Sequence, residues 1–391
     1  MSIMQQNTPD VLVVGGGVAG AATAAAAARR GLRTTLVEQF RLGHRHGSSH
    51  GPSRIIRLAY DGAPYVALVR EAYELWRSLE HRSRQRLLLP TGGLDIGLAG
   101  TPSLRDTAKT MTDCAVPFEP LPSADLASRF PHLCVEPEME GLYQPDAGVL
   151  DADACVRALM EDARAHGATI RERARVTRLE PVPGGVAAQV NGASLHAGVA
   201  VVAAGSWTGR LLDQLGRPVP LTVTREQVAY FATNGTAYAP GRFPVTIEHR
   251  ASGPPMISMF PELTPGGGVK LMLDRNGPEI LAEDLSDTVY APALASLTTY
   301  AAHRLRGLGQ VVHAETCRYT MTPDEDFILD LLPGHPQIGI ASACSGHGFK
   351  FGPVVGETMV DLVTMGKTAR PVTGFSLDRP ALAADRTWKR S

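Results

Sequence analysis

The chain has 391 residues, more than a single hydrophobic core usually serves, so one large or two interleaved domains are expected. With 44% hydrophobic and 20% charged residues and a formal net charge of −1, it has the composition of a soluble globular protein and lacks the basic excess of a nucleic-acid binder. No apolar run approaches the roughly 18–20 residues that span a bilayer, and the opening MSIMQQNTPD has no basic segment followed by an apolar one, so no membrane partner and a cytoplasmic location are expected.

The apolar run at residues 11–14 reads as a buried strand. A glycine cluster and an alanine-rich segment follow, and Arg29 and Arg30 before Gly31 suit a helix C-terminus. LRTTLVE then reads as a second buried strand, completing a βαβ unit. Gly15, Gly17 and Gly20 spell GxGxxG at the strand-to-helix turn, and Glu38 closes the second strand at the spacing of a dinucleotide fold. Gly15 permits the tight turn, Gly17 lets a pyrophosphate approach the backbone at the helix N-terminus, and Gly20 allows close helix–strand packing. Glu38 can accept ribose hydroxyls and disfavours the 2′-phosphate of NADP, which leaves NAD and FAD open.

Downstream, YVALVREAYELWRSLE places Tyr65, Leu68, Val69, Ala72, Leu75, Trp76 and Leu79 at helical spacing, a core stripe. LLLPTGGLDIGL and VPLTVTREQVAYFAT read as strands, and PELTPGGGVKLML as a glycine turn entering a strand. Between these strand-rich pieces, ACVRALMEDARAHGATIRERARVTRLEPV reads as helix then strand, and AGVAVVAAGSWTGRLLDQLG as strand, glycine turn and helix. The same order recurs in QIGIASACSGHGFKFGPVVGETMVDLV. The predicted fold is therefore α/β: a discontinuous Rossmann-like nucleotide-binding domain (1–85, 151–219 and 318–391) with an inserted α+β substrate domain (86–150 and 220–317) on a largely antiparallel sheet.

Three groups of residues carry possible chemistry beyond the glycine loop. Arg54 and Arg57, three apart beside His50, would share a helical face and present forked donors to a carboxylate. Lys350 sits in SGHGFKFGP just ahead of a helix with Pro353 near its first turn. Lys270 stands alone in an apolar strand, either snorkelling at an edge or facing a cleft. The five cysteines, Cys114, Cys134, Cys155, Cys317 and Cys344, are odd in number and lack CxxC or zinc-type spacing, so neither a disulfide framework nor a metal site is expected and each is by default a small buried hydrophobe.

GSSHGPSRIIRLAY, ETCRYTMTPDEDFILD, SGHGFKFGPVVGE and the closing LDRPAL, in this order and spacing, resemble the monomeric sarcosine oxidase and N-methyltryptophan oxidase family of covalent flavoproteins. The resemblance spans nearly the whole chain and implies FAD tethered through its 8α-methyl to a cysteine, here Cys317, with Cys344 as the rival thiol. A thiolate must form for that bond, and cations such as His50 and Arg54 are expected to favour it. The implied cofactor set is Gly15, Gly17, Gly20, Glu38, Val176, Cys317, Gly346, His347, Gly348, Phe349 and Lys350. Arg57 and Lys350 match the pair that holds a substrate carboxylate, and Lys270 matches the lysine that promotes reaction with oxygen. Tyr319 beside the tether matches as well. Asp274 stands where the sarcosine-type enzymes carry a histidine, and PPMISMFPEL lacks their tyrosine, so the pocket wall departs from the pattern.

The implied function is an FAD-dependent oxidase of a secondary-amine amino acid, with O2 as acceptor and hydrogen peroxide as product, and a monomer. A flavin dehydrogenase with another acceptor and a flavin-binding protein without turnover are the alternatives. A NAD-only dehydrogenase would have no use for the C-terminal loop.

Overall fold

The computed structural model describes residues 8–251 and 256–383. Part of the N-terminal reading (1–7), the two prolines before MISMFPEL and residues 384–391 of the last nucleotide-domain segment lie outside the described residues. The first strand, Val11–Val14, is buried on both faces, which is why it reads as continuous apolar sequence rather than as alternation. It occupies the interior of a six-stranded sheet ordered Ile328–Leu332, His335–Ser342, Val199–Val202, Val11–Val14, Thr34–Val37 and Thr169–Arg171. All pairings are parallel except the first hairpin. Val11 and Val13 pack with the helices, while Leu12 and Val14 pack against a three-stranded antiparallel sheet formed by Val176–Val182, Gly185–Val190 and Ala193–Ala197.

Alanine content sets how closely the helices pack. Val18–Arg29 lies against Ala152–Ala165 and Gly352–Met365, and a Cβ at Gly356 would fall 2.5 Å from the Ala22 backbone. The helix ends as the sequence implies, at Arg30 followed by Gly31 with φ +77°. The stripe on Ala63–Ser83 differs in detail: Val66 is buried and Leu75 only half-buried, because Leu75 lies on the shoulder of the packed face. The segment read as one strand after Ala152–Ala165 is two strands in different sheets, separated by a turn in which Arg173 takes φ +51°.

The second sheet has eight strands ordered Leu308–Met321, Thr222–Thr233, Val269–Leu273, Met256–Phe260, Val245–His249, Gly93–Leu98, Met139–Gln144 and Glu119–Pro122. Only the pairing of Val245–His249 with Gly93–Leu98 is parallel. A domain boundary between residues 317 and 318 falls inside the single strand Leu308–Met321. Period two decides what this sheet shows to each side. Val269, Leu271 and Leu273 join the core under the helix Ala291–Arg304, so Lys270 and Met272 turn to the opposite face. Cys317 and Tyr319 share that face with Met272. Among the described residues, no helix is long and apolar enough to cross a membrane.

Candidate active site

A cavity of about 770 Å³ is lined by residues of both large sheets, within the 300–1,000 Å³ range of small-molecule and cofactor sites. At one end lies the glycine turn. Gly15 has φ +110°, and a Cβ there would lie 2.3 Å from the Ala203 carbonyl oxygen. Gly20 contributes by packing and not by lining: its Cβ would meet the Gly15 carbonyl at 1.9 Å. Gly17 faces the cavity, and Ser49 Oγ accepts from the Val18 N–H at 3.0 Å at the start of the helix.

Glu38 accepts from the Gly16 N–H (2.7 Å) and the Phe40 N–H (2.8 Å), with His44 Nε2 at 3.4 Å. Burial alone would raise its pKa, but the His44, Phe40 and Gly16 contacts prevail and lower it. Oε2, which takes only the Gly16 N–H, keeps a further acceptor site for a ribose hydroxyl. Val176 is not in the main cavity. It lines a smaller one behind Glu38, with Gly15 and Val37.

The other end is built on the eight-stranded sheet. Lys270, Met272 and Asp274, two residues apart, line the cavity beside Glu315, Cys317 and Tyr319, also two apart. Lys270 lies in an interior strand, which decides between the two readings of it: it faces the cleft. Its ammonium donates to Ser53 Oγ at 2.9 Å and the Ser53 carbonyl at 3.2 Å, and it stands 4.5 Å over the Phe260 ring. Burial, reinforced by Arg54, lowers its pKa to about 7.

Arg54 and Arg57 do not share a helical face, since Arg54–Ile56 is a short strand paired with Gly148–Leu150. Both nevertheless line the cavity. Arg54 is fixed by the carbonyls of Ser53 (2.7 Å), His50 (2.8 Å) and Ser48 (2.9 Å). Arg57 stands 5.2 Å over the Tyr60 ring, with Nη1 3.3 Å from Asp95 Oδ1 but without hydrogen-bond alignment. Asp95 is itself held by His249 Nε2 at 2.8 Å.

His50 is buried with both ring nitrogens unpartnered, and burial, with Arg54 and Arg45, lowers its pKa to about 3. It is a neutral imidazole, not a cation, at neutral pH. Cys317 departs from expectation in a related way. Burial pushes the thiol up to about 12, outweighing the opposing pull of Arg54 and Lys270. The default reading of the cysteines also needs correction: Cys155 and Cys317 are buried, whereas Cys114, Cys134 and Cys344 are only partly so. Cys344 also lines the cavity, and its sulfur accepts from the Thr320 N–H at 3.3 Å.

The loop 343–350 needs its glycines. A Cβ at Gly346 (φ +80°) would strike the Tyr319 ring at 2.5 Å, and one at Gly348 would lie 1.8 Å from the Ala343 carbonyl. Phe349–Phe351 forms a tight turn that leads into the helix Gly352–Met365, with Pro353 in its first turn. Lys350 Nζ donates to Tyr60 Oη and to the His347 carbonyl, both at 2.8 Å. Burial, reinforced by Arg57, holds its pKa well below the usual lysine range.

Asp274 accepts from Tyr319 Oη at 2.8 Å and from Arg275 Nε at 3.1 Å. It therefore offers a neutralised, hydrogen-bonding wall rather than a free negative charge. Sequence reasoning missed Glu315, although its period-two relation to Cys317 was legible. It also missed Ser49, Ser53, Tyr60 and Asp95. No local signal marks Ser49, whose partner Val18 is 31 residues away.

Residues 10–362 match the family described as FAD dependent oxidoreductase (DAO), and the chain belongs to that family. The chain is 33% identical over 379 residues to the monomeric sarcosine oxidase of Bacillus sp. (strain NS-129), covering 95% of this chain and 97% of that one. It is 30% identical over 374 residues to the N-methyl-L-tryptophan oxidase of Salmonella heidelberg (strain SL476), covering 95% and 98%. The fold matches that of NikD, described as an unusual amino acid oxidase essential for nikkomycin biosynthesis, with a TM-score of 0.83, 28% identity, and coverage of 94% and 97%. The protein is thus an FAD-dependent amine or amino acid oxidase of the sarcosine oxidase family. The cavity suits that cofactor. Its glycine turn opens a helix N-terminus toward a pyrophosphate, and the buried His50 nitrogens call for a polar partner that the protein does not itself supply.

Proposed function

We propose that the enzyme oxidises amino acids carrying a secondary amine, N-methylated or cyclic, with O2 as the electron acceptor and H2O2 as product. The observation that carries this reading is the convergence of Arg57, Lys350, Lys270 and Cys317 on one buried cavity. The names of the two curated relatives agree with it, since both refer to N-methyl amino acids. When bound, FAD accepts a hydride from the carbon next to nitrogen and passes the electrons to oxygen. The protein supplies position and charge. Gly15, Gly17, Gly20 and Glu38 hold the dinucleotide end, with Val176 behind them, and Gly346 to Lys350 hold the ring end. Cys317 forms the tether, with the Arg54 guanidinium favouring its thiolate and His50 beside them in the same cavity. Arg57 and Lys350 hold the carboxylate, and Lys270 faces oxygen.

The reading is tested by oxygen uptake and peroxide release with a panel of sarcosine, bulkier N-methyl amino acids, proline and pipecolate. With Asp274 in the wall and no tyrosine from Met256–Phe260, the larger and cyclic amines should give a higher kcat/KM than sarcosine. A preference for sarcosine would remove Asp274 from specificity. Dye reduction without oxygen uptake would make the enzyme a dehydrogenase instead.

Two substitutions test the residues. Cys317→Ala should leave the flavin extractable by acid, whereas Cys344→Ala should not. The tether lies elsewhere if the first variant keeps acid-stable flavin. Arg57→Ala should weaken carboxylate binding by roughly 1.5–3 kcal/mol, about one to two decades in Kd, measured by spectral titration. An unchanged Kd would move the carboxylate away from Arg57.

A further inference from the structure

We infer that the Lys350 amine accepts the ammonium proton of an incoming amino acid and thereby becomes the second cation of the carboxylate site. The inference rests on the proposed amino acid substrate and on the carboxylate site at Arg57 and Lys350. It supplies what the sequence does not reveal, a proton acceptor for the substrate amine.

The geometry follows from hydrogen-bond bookkeeping around His347. Its Nε2 lies 3.2 Å from the Glu325 carbonyl oxygen, which can only accept, so Nε2 carries the proton. The ring is half-buried, and desolvation together with Lys350, Arg275 and Arg57 keeps it neutral and leaves Nδ1 bare. Nδ1 lies 3.2 Å from Tyr60 Oη and must accept the Tyr60 proton. The Tyr60 oxygen can then only accept from Lys350 Nζ, at 2.8 Å. The His347 carbonyl takes a second Lys350 N–H, also at 2.8 Å. Two positions on Nζ are thereby committed. The third tetrahedral position faces the cavity that Lys350 lines, and in the neutral amine it is the lone pair.

The rings of Tyr60 and Phe351, with centroids 5.2 and 5.3 Å from Nζ, are what favours charge on Lys350 in the absence of a carboxylate. Among the described residues it forms no ion pair. The titratable and charged groups facing it are Arg57 just after the strand Arg54–Ile56, Tyr60, His347 from its own loop and Asp274 just after the strand Val269–Leu273, and Asp274 is already bonded to Arg275 and Tyr319. Burial and Arg57 disfavour the ammonium. A bound carboxylate reverses that balance by adding a negative charge beside Nζ.

The substrate brings both the charge and the proton. The carboxylate and ammonium of an α-amino acid sit on one carbon, so a lysine that touches the first is within reach of the second. One substrate N–H bond breaks and one N–H bond forms at Nζ, with no change in oxidation state. The result is a free amine, able to release hydride from its neighbouring carbon, and a carboxylate held between two cations.

The test uses the flavin-loaded protein and calorimetry at pH 8 in buffers of different ionisation enthalpy. Butyrate and cyclopentanecarboxylate replace the NH of sarcosine and proline with CH2. With no proton of their own to give, they should draw about one proton per site from solvent on binding. The amino acid 2-aminoisobutyrate has no hydrogen on the carbon bearing nitrogen and cannot be oxidised there; it should bind with no net uptake. Lys350→Met and Lys350→Gln should each bind the amine-free carboxylates more weakly and with no uptake. Binding of butyrate to the wild type without proton uptake overturns the inference, as does unchanged uptake in both variants. Failure of every carboxylate to bind overturns the carboxylate site itself, and this inference with it.

Discussion

Lys270→Met is expected to slow the reaction of the reduced enzyme with oxygen by about two to three decades, while reduction by substrate changes by no more than a few fold. The charge in question is fixed, buried and directed: Ser53 holds it through two contacts, and Phe260 supports it from below. Negative charge develops on oxygen as it is reduced, and a preoriented cation in a water-poor site stabilises that charge without reorganising. By analogy with one oxyanion-hole donor, its loss should cost about 3–4 kcal/mol. Methionine preserves most of the volume, which separates charge from packing. The pH dependence carries a definite sign. Burial and Arg54 lower the Lys270 pKa to about 7, so its cationic form is present below that pH and lost above it. An anion bound beside it moves the transition upward. Reoxidation of the wild type should therefore fall with rising pH through this titration, and that of Lys270→Met should be flat. Stopped-flow measurement of the two half-reactions decides the matter: equal slowing of both would make Lys270 a support of the pocket and not an oxygen-side charge.

The parts of the molecule legible in sequence were those coded by local rules. GxGxxG and Glu38 mark a strand-to-helix turn because the backbone geometry demands glycine there, and the steric contacts of Gly15 and Gly20 bear this out. The alternation of VKLML puts Lys270 on the cavity face once the neighbouring core residues are known. What sequence could not give was the protonation state of the site. Arg57, Lys350, Lys270 and His50 look like a uniformly cationic pocket when read as letters. Burial, together with repulsion from Arg54 at His50 and Lys270 and from Arg57 at Lys350, makes His50 neutral, lowers Lys270 to about 7 and pushes Lys350 well below its usual range. The helical reading of Arg54 and Arg57 failed for a related reason. Three-residue spacing is a helical signal only in a helix, and Arg54–Ile56 owes its extended form to pairing with a strand almost a hundred residues later. Ser49, Asp95 and Tyr60 were missed because their partners are brought in by the fold.

Trp76→Ala is expected to destabilise the protein by about 3–5 kcal/mol and to loosen the Lys350 loop in the same stroke. The side chain is fully buried on the helix Ala63–Ser83. Its ring lies parallel to Phe349, with centroids 6.2 Å apart and an interplanar angle of 6°. Its Nε1 donates to the Lys350 carbonyl at 2.8 Å. The alanine variant therefore loses apolar burial, leaves a cavity and strands a buried carbonyl. Trp76→Phe keeps most of the ring and removes only the donor, which should cost about 1–3 kcal/mol for the unsatisfied carbonyl. Urea denaturation of the two variants separates packing from hydrogen bonding. Butyrate titration then reads whether the loop has moved: if Trp76 anchors Lys350, Trp76→Phe should weaken carboxylate binding although no atom of Trp76 lines the cavity. A phenylalanine variant with wild-type stability and wild-type butyrate affinity would show that the indole N–H holds nothing in place, leaving the glycine-bounded turn and the helix Gly352–Met365 to position Lys350 alone.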